Sequence, residues 1–284
     1  MPAWAELRSL AILSDFSPTS FGVIGLGRMA QALLFPLMAS GLVPRERVSA
    51  VVASEASARR LAAAQPGLAV GTDPAAAWRA RAQLLAVKPQ QLQAVAATVP
   101  PLEAGAEPPL LISVLAGVTL ARLEGLFPGR RIVRAVPNTP CLVRAGLTGL
   151  AWGEGITEPQ RAWVQQLFAQ VGEVLELPEP QLDAFLALTS SGPAFVALVA
   201  EAMADGAVAS GLPRQLAQHL AHRTLAGTAA LLHEQELHPG QLKDMVSSPA
   251  GTTIAGLRQL ERGGARSALI EAVIAAAERS RELA

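Results

Sequence analysis

Phe21-Gly-Val-Ile24 is a short apolar run that passes directly into Gly25-Leu26-Gly27-Arg28-Met29-Ala30, and an Ala/Leu-rich stretch then continues to Gly41. A strand, a glycine turn and a helix in immediate succession leave the chain few folds, because the helix must cross back to the sheet in the right-handed sense. In the spacing G-x-G-x-x-A, Gly25 permits the tight turn, Gly27 lets another group approach the backbone, and Ala30 keeps the helix close to the strand. The helix N-terminus behind the turn presents unpaired N–H groups that suit an anion. Inside a strand–turn–helix unit this spacing points to the pyrophosphate of a dinucleotide; elsewhere it marks only a structural turn.

The pattern repeats along the first half. Val48 to Ala53 is predicted as a strand and Glu55 to Ala64 as a helix. Further strands are predicted at Gln83 to Val87, Leu110 to Val114 and Arg131 to Val136. Continuous apolar strands between helices predict an α/β fold, a Rossmann-type doubly wound parallel sheet buried on both faces. Ligands of such sheets lie beyond the carboxyl ends of the strands. Val87-Lys88-Pro89-Gln90, Leu115-Ala116-Gly117 and Val136-Pro137-Asn138-Thr139-Pro140 are therefore expected to face the nicotinamide half of a cofactor site. The end of the second strand reads Ser54-Glu55-Ala56-Ser57-Ala58-Arg59-Arg60. Ser54 with Arg59 suits the 2′-phosphate of NADPH, Glu55 suits the ribose diol of NADH, and the residues leave both open with NADPH slightly favoured.

Pro178-Glu179-Pro180 closes this half, giving expected divisions of 1–20 as an N-terminal extension, 21–178 as the dinucleotide-binding domain and 179–284 as a helical domain. Helices are predicted at Gln181 to Thr189, Ala194 to Ser210, Gln215 to Glu234, Pro239 to Val246 and Ala265 to Leu283. They are so apolar and so poor in charge that they are expected to pack against a second subunit as well as one another. Between them lies Ser247-Ser248-Pro249-Ala250-Gly251-Thr252-Thr253-Ile254, a hydroxyl-rich turn leading into a short helix. Free N–H groups at Thr252 and Thr253, with the Ser248 hydroxyl, suit a carboxylate, although the same residues suit an ordinary helix cap.

Composition removes several chemistries. There is no Tyr, so no phenol acts as acid or base, and Lys88 and Lys243 are the two lysines. Cys141, the single cysteine, can form no internal disulfide or zinc cluster, and is read as a small buried residue. The four histidines fall between His219 and His238 without a complementary carboxylate or thiol, so no metal site is expected. Lys+Arg and Asp+Glu balance at 23 each, which offers nothing to nucleic acid or an anionic membrane. Residues 1–20 carry Glu6, Arg8 and Asp15 and read as neither signal peptide nor span, and no uncharged apolar run elsewhere spans a bilayer free of Gly/Pro punctuation. A soluble cytoplasmic protein is expected.

Taken in order, G-L-G-R-M-A (25–30), A-V-K-P-Q (86–90), A-G-V-T-L (116–120), V-P-N-T-P (136–140), S-S-G-P-A-F (190–195), E-A-M-A-D-G (201–206), G-L-P-R (211–214) and S-S-P-A-G-T-T-I (247–254) resemble the pyrroline-5-carboxylate reductase family. The resemblance covers about residues 21–284 and implies reduction of 1-pyrroline-5-carboxylate to L-proline with NADPH or NADH. It also implies a helical domain that interleaves with its partner in a homodimer, with rings of dimers beyond that. Carried over by position, the cofactor contacts are Gly25, Leu26, Gly27, Arg28, Met29, Ala30, Ser54, Asp73, Ala86, Val87, Lys88, Pro89, Leu115, Ala116 and Gly117. Glu179, Ser248, Thr252 and Thr253 match substrate positions, and Thr253 matches the catalytic partner of the imine nitrogen. Reducing an electrophilic imine needs a hydride donor, positioning and at most one proton relay, which suits a chain without metal or phenol. The same loop would serve another small cyclic imine carboxylate, and the same fold a nucleotide-binding paralogue without turnover. Three positions depart from the family pattern: Ala250 replaces the first glycine of S-P-G-G-T-T, Thr189-Ser190 replaces Ser-Gly, and Phe195 replaces Tyr. If position 250 needs a positive φ, Ala adds strain of about 1 kcal/mol.

Overall fold

The computed structural model describes residues 16–283, so the expected extension lies largely outside the described residues. Ser191–Ala275 forms one compact unit; the sheet through Ser190, together with a return segment from Ala276, forms the other.

The sheet unit holds β1 (Phe21–Ile24), α1 (Arg28–Ala39), β2 (Val48–Val51), α2 (Glu55–Ala64), β3 (Ala69–Gly71), α3 (Ala75–Trp78), β4 (Ala82–Leu85), α4 (Leu92–Ala96), β5 (Leu110–Ser113), α5 (Leu120–Leu126), β6 (Arg131–Pro137), β7 (Gly146–Trp152), α6 (Glu158–Ala169), β8 (Gly172–Glu176) and α7 (Leu182–Thr189). The strands run in the order β3-β2-β1-β4-β5-β6-β7-β8, with the chain crossing over at β1. Six strands are parallel, and five of them are the ones that the apolar runs predict. β7 is not: it pairs antiparallel with β6, Ala135 opposite Leu150, and β8 then follows parallel to β7. The short connection through 138–145 allows this reversal, since a parallel return needs a crossover of a dozen or more residues.

Two strands escape a reading by apolar runs. β3 is three residues long, and β7 begins at Gly146 and carries Gly149 in its interior. Those glycines answer to close approach. A methyl on Gly149 would sit 2.9 Å from Leu182 Cδ2 and 3.0 Å from the Phe185 ring, and one on Gly146 would sit 2.9 Å from Cys141 Cβ. Alternating strand residues divide into two cores. Phe21, Val23, Leu84, Ile112 and Val133 join α1 and α6 through Leu33, Leu34, Leu37, Val164 and Phe168. Ile24, Leu85, Leu111 and Ile132 join Trp78, Leu92, Leu123, Phe127 and Leu182.

The sheet unit reaches past the boundary expected after Pro178. Arg134 of β6 pairs with Glu179 and Asp183, Asn138 Nδ2 donates to the Thr189 carbonyl at 2.9 Å, and the Ser190 hydroxyl donates to the Pro137 carbonyl at 3.3 Å. These bonds fasten α7 to the end of β6, so contacts divide the chain at Ser190.

The helical unit holds α8 (Gly192–Ala209), α9 (Arg214–Glu234), α10 (Pro239–Met245), α11 (Thr252–Arg262) and the start of α12 (Ala265–Glu282), which continues into the return segment. Gly211, at φ +104°, ends α8, and Pro213 opens α9. The seam between α8 and α9 is made of small residues, Ala204, Ala217 and Ala221. The large apolar side chains lie elsewhere: Val196, Leu198, Met203, Leu216, Leu269 and Ile270 are all exposed. Within Glu179–Ala209 an 18-residue window reaches a mean hydropathy of 1.6, long and apolar enough to cross a membrane by length and composition, with the interruption at Gly192-Pro193 inside the stretch.

Candidate functional site

The glycine turn is built for close approach. Gly25 has φ +95°, and a methyl on it would lie 2.8 Å from both the Ala86 carbonyl oxygen and Val87 Cγ1, so only glycine fits between β1 and the end of β4. Its N–H and that of Leu26 both donate to the Val51 carbonyl, at 3.0 and 3.1 Å. At Gly27, the N-cap of α1, a methyl would meet nothing within 4 Å, so the outer side of the turn is open. No side chain caps α1 and no acidic residue stands in its first turn, which leaves the positive end of the helix to an outside anion. Ala30 is 1% exposed and seats the helix on the sheet. These features fit a dinucleotide.

The other expected cofactor residues follow neighbouring parallel strands. Ser54 and Glu55 follow β2, Asp73 follows β3, Ala86 to Pro89 follow β4, and Leu115 to Gly117 follow β5, all along one edge of the sheet. Several already have local partners. Ser54 Oγ accepts from the Ser57 N–H at 3.3 Å and caps α2, Asp73 Oδ1 accepts from the Ala75 N–H at 2.9 Å, and Glu55 Oε1 accepts from the Thr72 hydroxyl at 2.5 Å. Among the described residues neither Arg59 nor Arg60 has an ion-pair partner, and both are exposed. Asn138 does not present its side chain to this edge. It is 4% exposed, with Nδ2 on the Thr189 carbonyl and Oδ1 accepting the Leu147 N–H at 2.8 Å, so its amide is used up in joining β6, β7 and α7.

In the helical unit, the loop before α11 carries the feature the sequence made conditional: Ala250 has φ +60°, a left-handed backbone usually left to glycine. The next residue, Gly251, donates its N–H to the Ser248 carbonyl at 3.0 Å and is the N-cap of α11. A methyl there would sit 2.3 Å from Ser248 Oγ, so glycine is required for the Ser248 hydroxyl to fold over the helix end. No side chain caps α11, and its first turn, Thr252 and Thr253 included, holds no acidic residue. The loop therefore ends in unsatisfied N–H groups beside a hydroxyl, suited to a carboxylate. A groove of about 630 Å³ lies beside it, lined by Ala250, Gly251, Ile254, Lys243, Arg258 and Glu261.

Glu179, expected near substrate, accepts from Arg134 Nη1 at 3.0 Å and from the Leu120 N–H at 2.6 Å. Arg134, Asp183 and Ser280 had no place in the sequence reading. A charged residue inside the apolar run R-I-V-R-A-V-P was the available signal, since a buried guanidinium demands carboxylates. Cys141 is buried, its Sγ 3.9 Å from Met29 Sδ, and burial pushes its thiol above the usual range. Among the described residues no three His, Cys, Asp or Glu side chains group to hold a metal ion.

Residues 179–283 match the model of the pyrroline-5-carboxylate reductase dimerisation region, and residues 20–117 match that of NADP oxidoreductase, coenzyme F420-dependent. A pyrroline-5-carboxylate reductase from Synechocystis is 47% identical over 92% of this chain and 97% of its own length. The chain belongs to the pyrroline-5-carboxylate reductase family. Among solved structures, the family's Coxiella burnetii enzyme is 32% identical with a TM-score of 0.82, covering 95% of this chain and 99% of that one. The Plasmodium falciparum pyrroline carboxylate reductase with NADP bound is 27% identical with a TM-score of 0.84, covering 94% of this chain and 99% of that one. The fold is thus that of the family, a Rossmann-type sheet followed by a helical dimerisation region.

Proposed function

We propose that this chain reduces the imine of 1-pyrroline-5-carboxylate to L-proline with NAD(P)H, the last step of proline biosynthesis, and that it works as a homodimer able to assemble into larger rings. The observation that carries the reading is the loop before α11, where Gly251 makes room for the Ser248 hydroxyl over an uncapped helix end, in a chain of this family. The nicotinamide supplies the hydride. Ser248 and the N–H groups of Thr252 and Thr253 bind the substrate carboxylate, and the Thr253 hydroxyl hydrogen-bonds the imine nitrogen, orienting the ring. Glu179 borders the substrate as a carboxylate held by Arg134. Gly25 to Ala30 receive the pyrophosphate; Ser54, Asp73, Ala86 to Pro89 and Leu115 to Gly117 hold the rest of the cofactor.

NADPH is the preferred form. Thr72 occupies the Glu55 carboxylate, which would otherwise serve a ribose diol, whereas Arg59 stands five residues past Ser54 with no ion-pair partner among the described residues. By function, residues 21–178 serve the cofactor and 179–284 serve substrate and dimer. A second copy, rather than lipid, covers the apolar faces of the helical unit. The reaction runs in the cytoplasm, where one buried thiol is at home.

The deciding experiment follows NADPH and NADH oxidation with purified protein and racemic pyrroline-5-carboxylate. Imine-dependent oxidation, faster with NADPH, is expected, and Arg59→Ala should narrow the ratio. Tight NADPH binding without oxidation would overturn the substrate assignment.

A further inference from the structure

Arg134 stands in β6 between Val133 and Ala135 and is 2% exposed. A guanidinium at that depth must be paired. Its Nη1 donates to Glu179 Oε1 at 3.0 Å and its Nη2 to Asp183 Oδ1 at 3.5 Å, while Nε is buried without a partner. Each carboxylate oxygen accepts a second donor. Glu179 Oε1 takes the Leu120 N–H, the first of α5, at 2.6 Å, and Asp183 Oδ1 takes the Ser280 hydroxyl at 2.7 Å. Ser280 lies near the end of α12 and is 3% exposed.

The two arms converge on one loop. Leu120 comes three residues after Gly117, and a methyl on Gly117 would sit 2.9 Å from the Ser280 carbonyl oxygen and 2.9 Å from Leu283 Cβ. Gly117 has φ +70°, so the turn Leu115-Ala116-Gly117 lies between the start of α5 and the end of α12, both anchored through Arg134. Buried ion pairs add little net stability over apolar side chains of the same size. A network joining β6, α5, α7 and α12 instead sets the relative geometry of those segments.

We propose that Arg134 and Ser280 are positioning residues for the cofactor, which hold the turn at Leu115 to Gly117 in the shape its cofactor contacts require. The proposal rests on the reading that this turn binds NAD(P)H. Ser280→Ala removes one hydroxyl and leaves the Arg134–Glu179 pair in place. It is expected to raise both the Kd for NADPH, read by fluorescence titration, and the KM for NADPH by about tenfold, the scale of one hydrogen bond to a charged group. At saturating NADPH, kcat and the KM for the imine should stay within about twofold. Leu283→Ala should act in the same direction more weakly. Arg134→Lys, a point donor that reaches one carboxylate in place of two, should act more strongly. A Ser280→Ala protein that melts earlier yet binds NADPH like the parent would overturn the proposal, leaving the network a purely structural one. A parent that binds no NADPH would overturn the functional reading and the proposal together, so the two failures are distinguishable.

Discussion

Leu34, Leu84 and Ile112 of the sheet unit have no accessible surface to speak of, whereas Leu198, Ile270 and Leu269 of the helical unit are 66%, 52% and 48% exposed. The sheet unit closes its core on both faces with its own helices. The helical unit buries mainly alanines along the α8–α9 seam and turns its larger side chains outward. Exposed large apolar side chains in such number on one unit point to an interaction face. One unit is thus a finished globule, while the other leaves large apolar side chains exposed in a region that matches a dimerisation model, where we propose that a second copy covers them.

The sharpest way to break that contrast is Leu198→Glu. On a solvent face it would change stability by no more than about 0.5 kcal/mol, but in a subunit interface it buries an unpaired charge at a cost of about 3–5 kcal/mol. Loss of the dimer is expected, measured by size exclusion with light scattering. Leu34→Ala should do the opposite: a loss of about 2–5 kcal/mol in denaturant unfolding, with assembly at a fixed protein concentration unchanged. If both variants behave alike, the contrast is wrong.

Thr253→Ala tests the division of labour. A lost hydrogen-bond partner in the transition state should cost roughly a hundredfold in kcat, about 2.7 kcal/mol, with the Kd for NADPH unchanged, since the proposal places the cofactor on the sheet unit. A parallel loss of NADPH affinity would argue against that division. A smaller effect is expected at Ala250. Ala250→Gly relieves a left-handed strain of about 1–2 kcal/mol and adds about 0.5–1 kcal/mol of unfolded-chain entropy, so a net gain of about 0–1.5 kcal/mol should appear as an equal or higher Tm. The smallest effect lies at Cys141. Burial raises its thiol above the ordinary 9.0, so the unfolded chain ionises first. The stability tied to the neutral thiol is whole below that value and lost as pH rises through the folded one. Thiol reagents should accordingly label Cys141 only on unfolding.

Much of the sheet unit was legible because strands and helices there alternate with clear punctuation. α2 and β1 were read to the residue, and β5 and β6 nearly so. The glycine turn was legible for a local reason: φ at Gly25 and the spacing to Ala30 are properties of six consecutive residues. β7 was not, because its glycines answer to Leu182, Phe185 and Cys141 rather than to strand propensity. Asn138 was misplaced for the same reason, since a position after a strand does not reveal that its amide is claimed by Thr189 and Leu147.

By itself the sequence determined the α/β class, the glycine turn after β1, the hydroxyl-rich turn before α11 and the condition attached to Ala250, because each follows from backbone sterics or hydrophobic period within a short window. Tertiary structure alone decided the reversed β7, the left-handed φ at Ala250 and the junction at Ser190. It alone decided, too, that Arg134, Glu179, Asp183 and Ser280, spread over nearly 150 residues, share one buried network. A buried charge fixes that partners must exist; which residues they are depends on contacts between segments far apart in the chain, and local spacing carries no record of those.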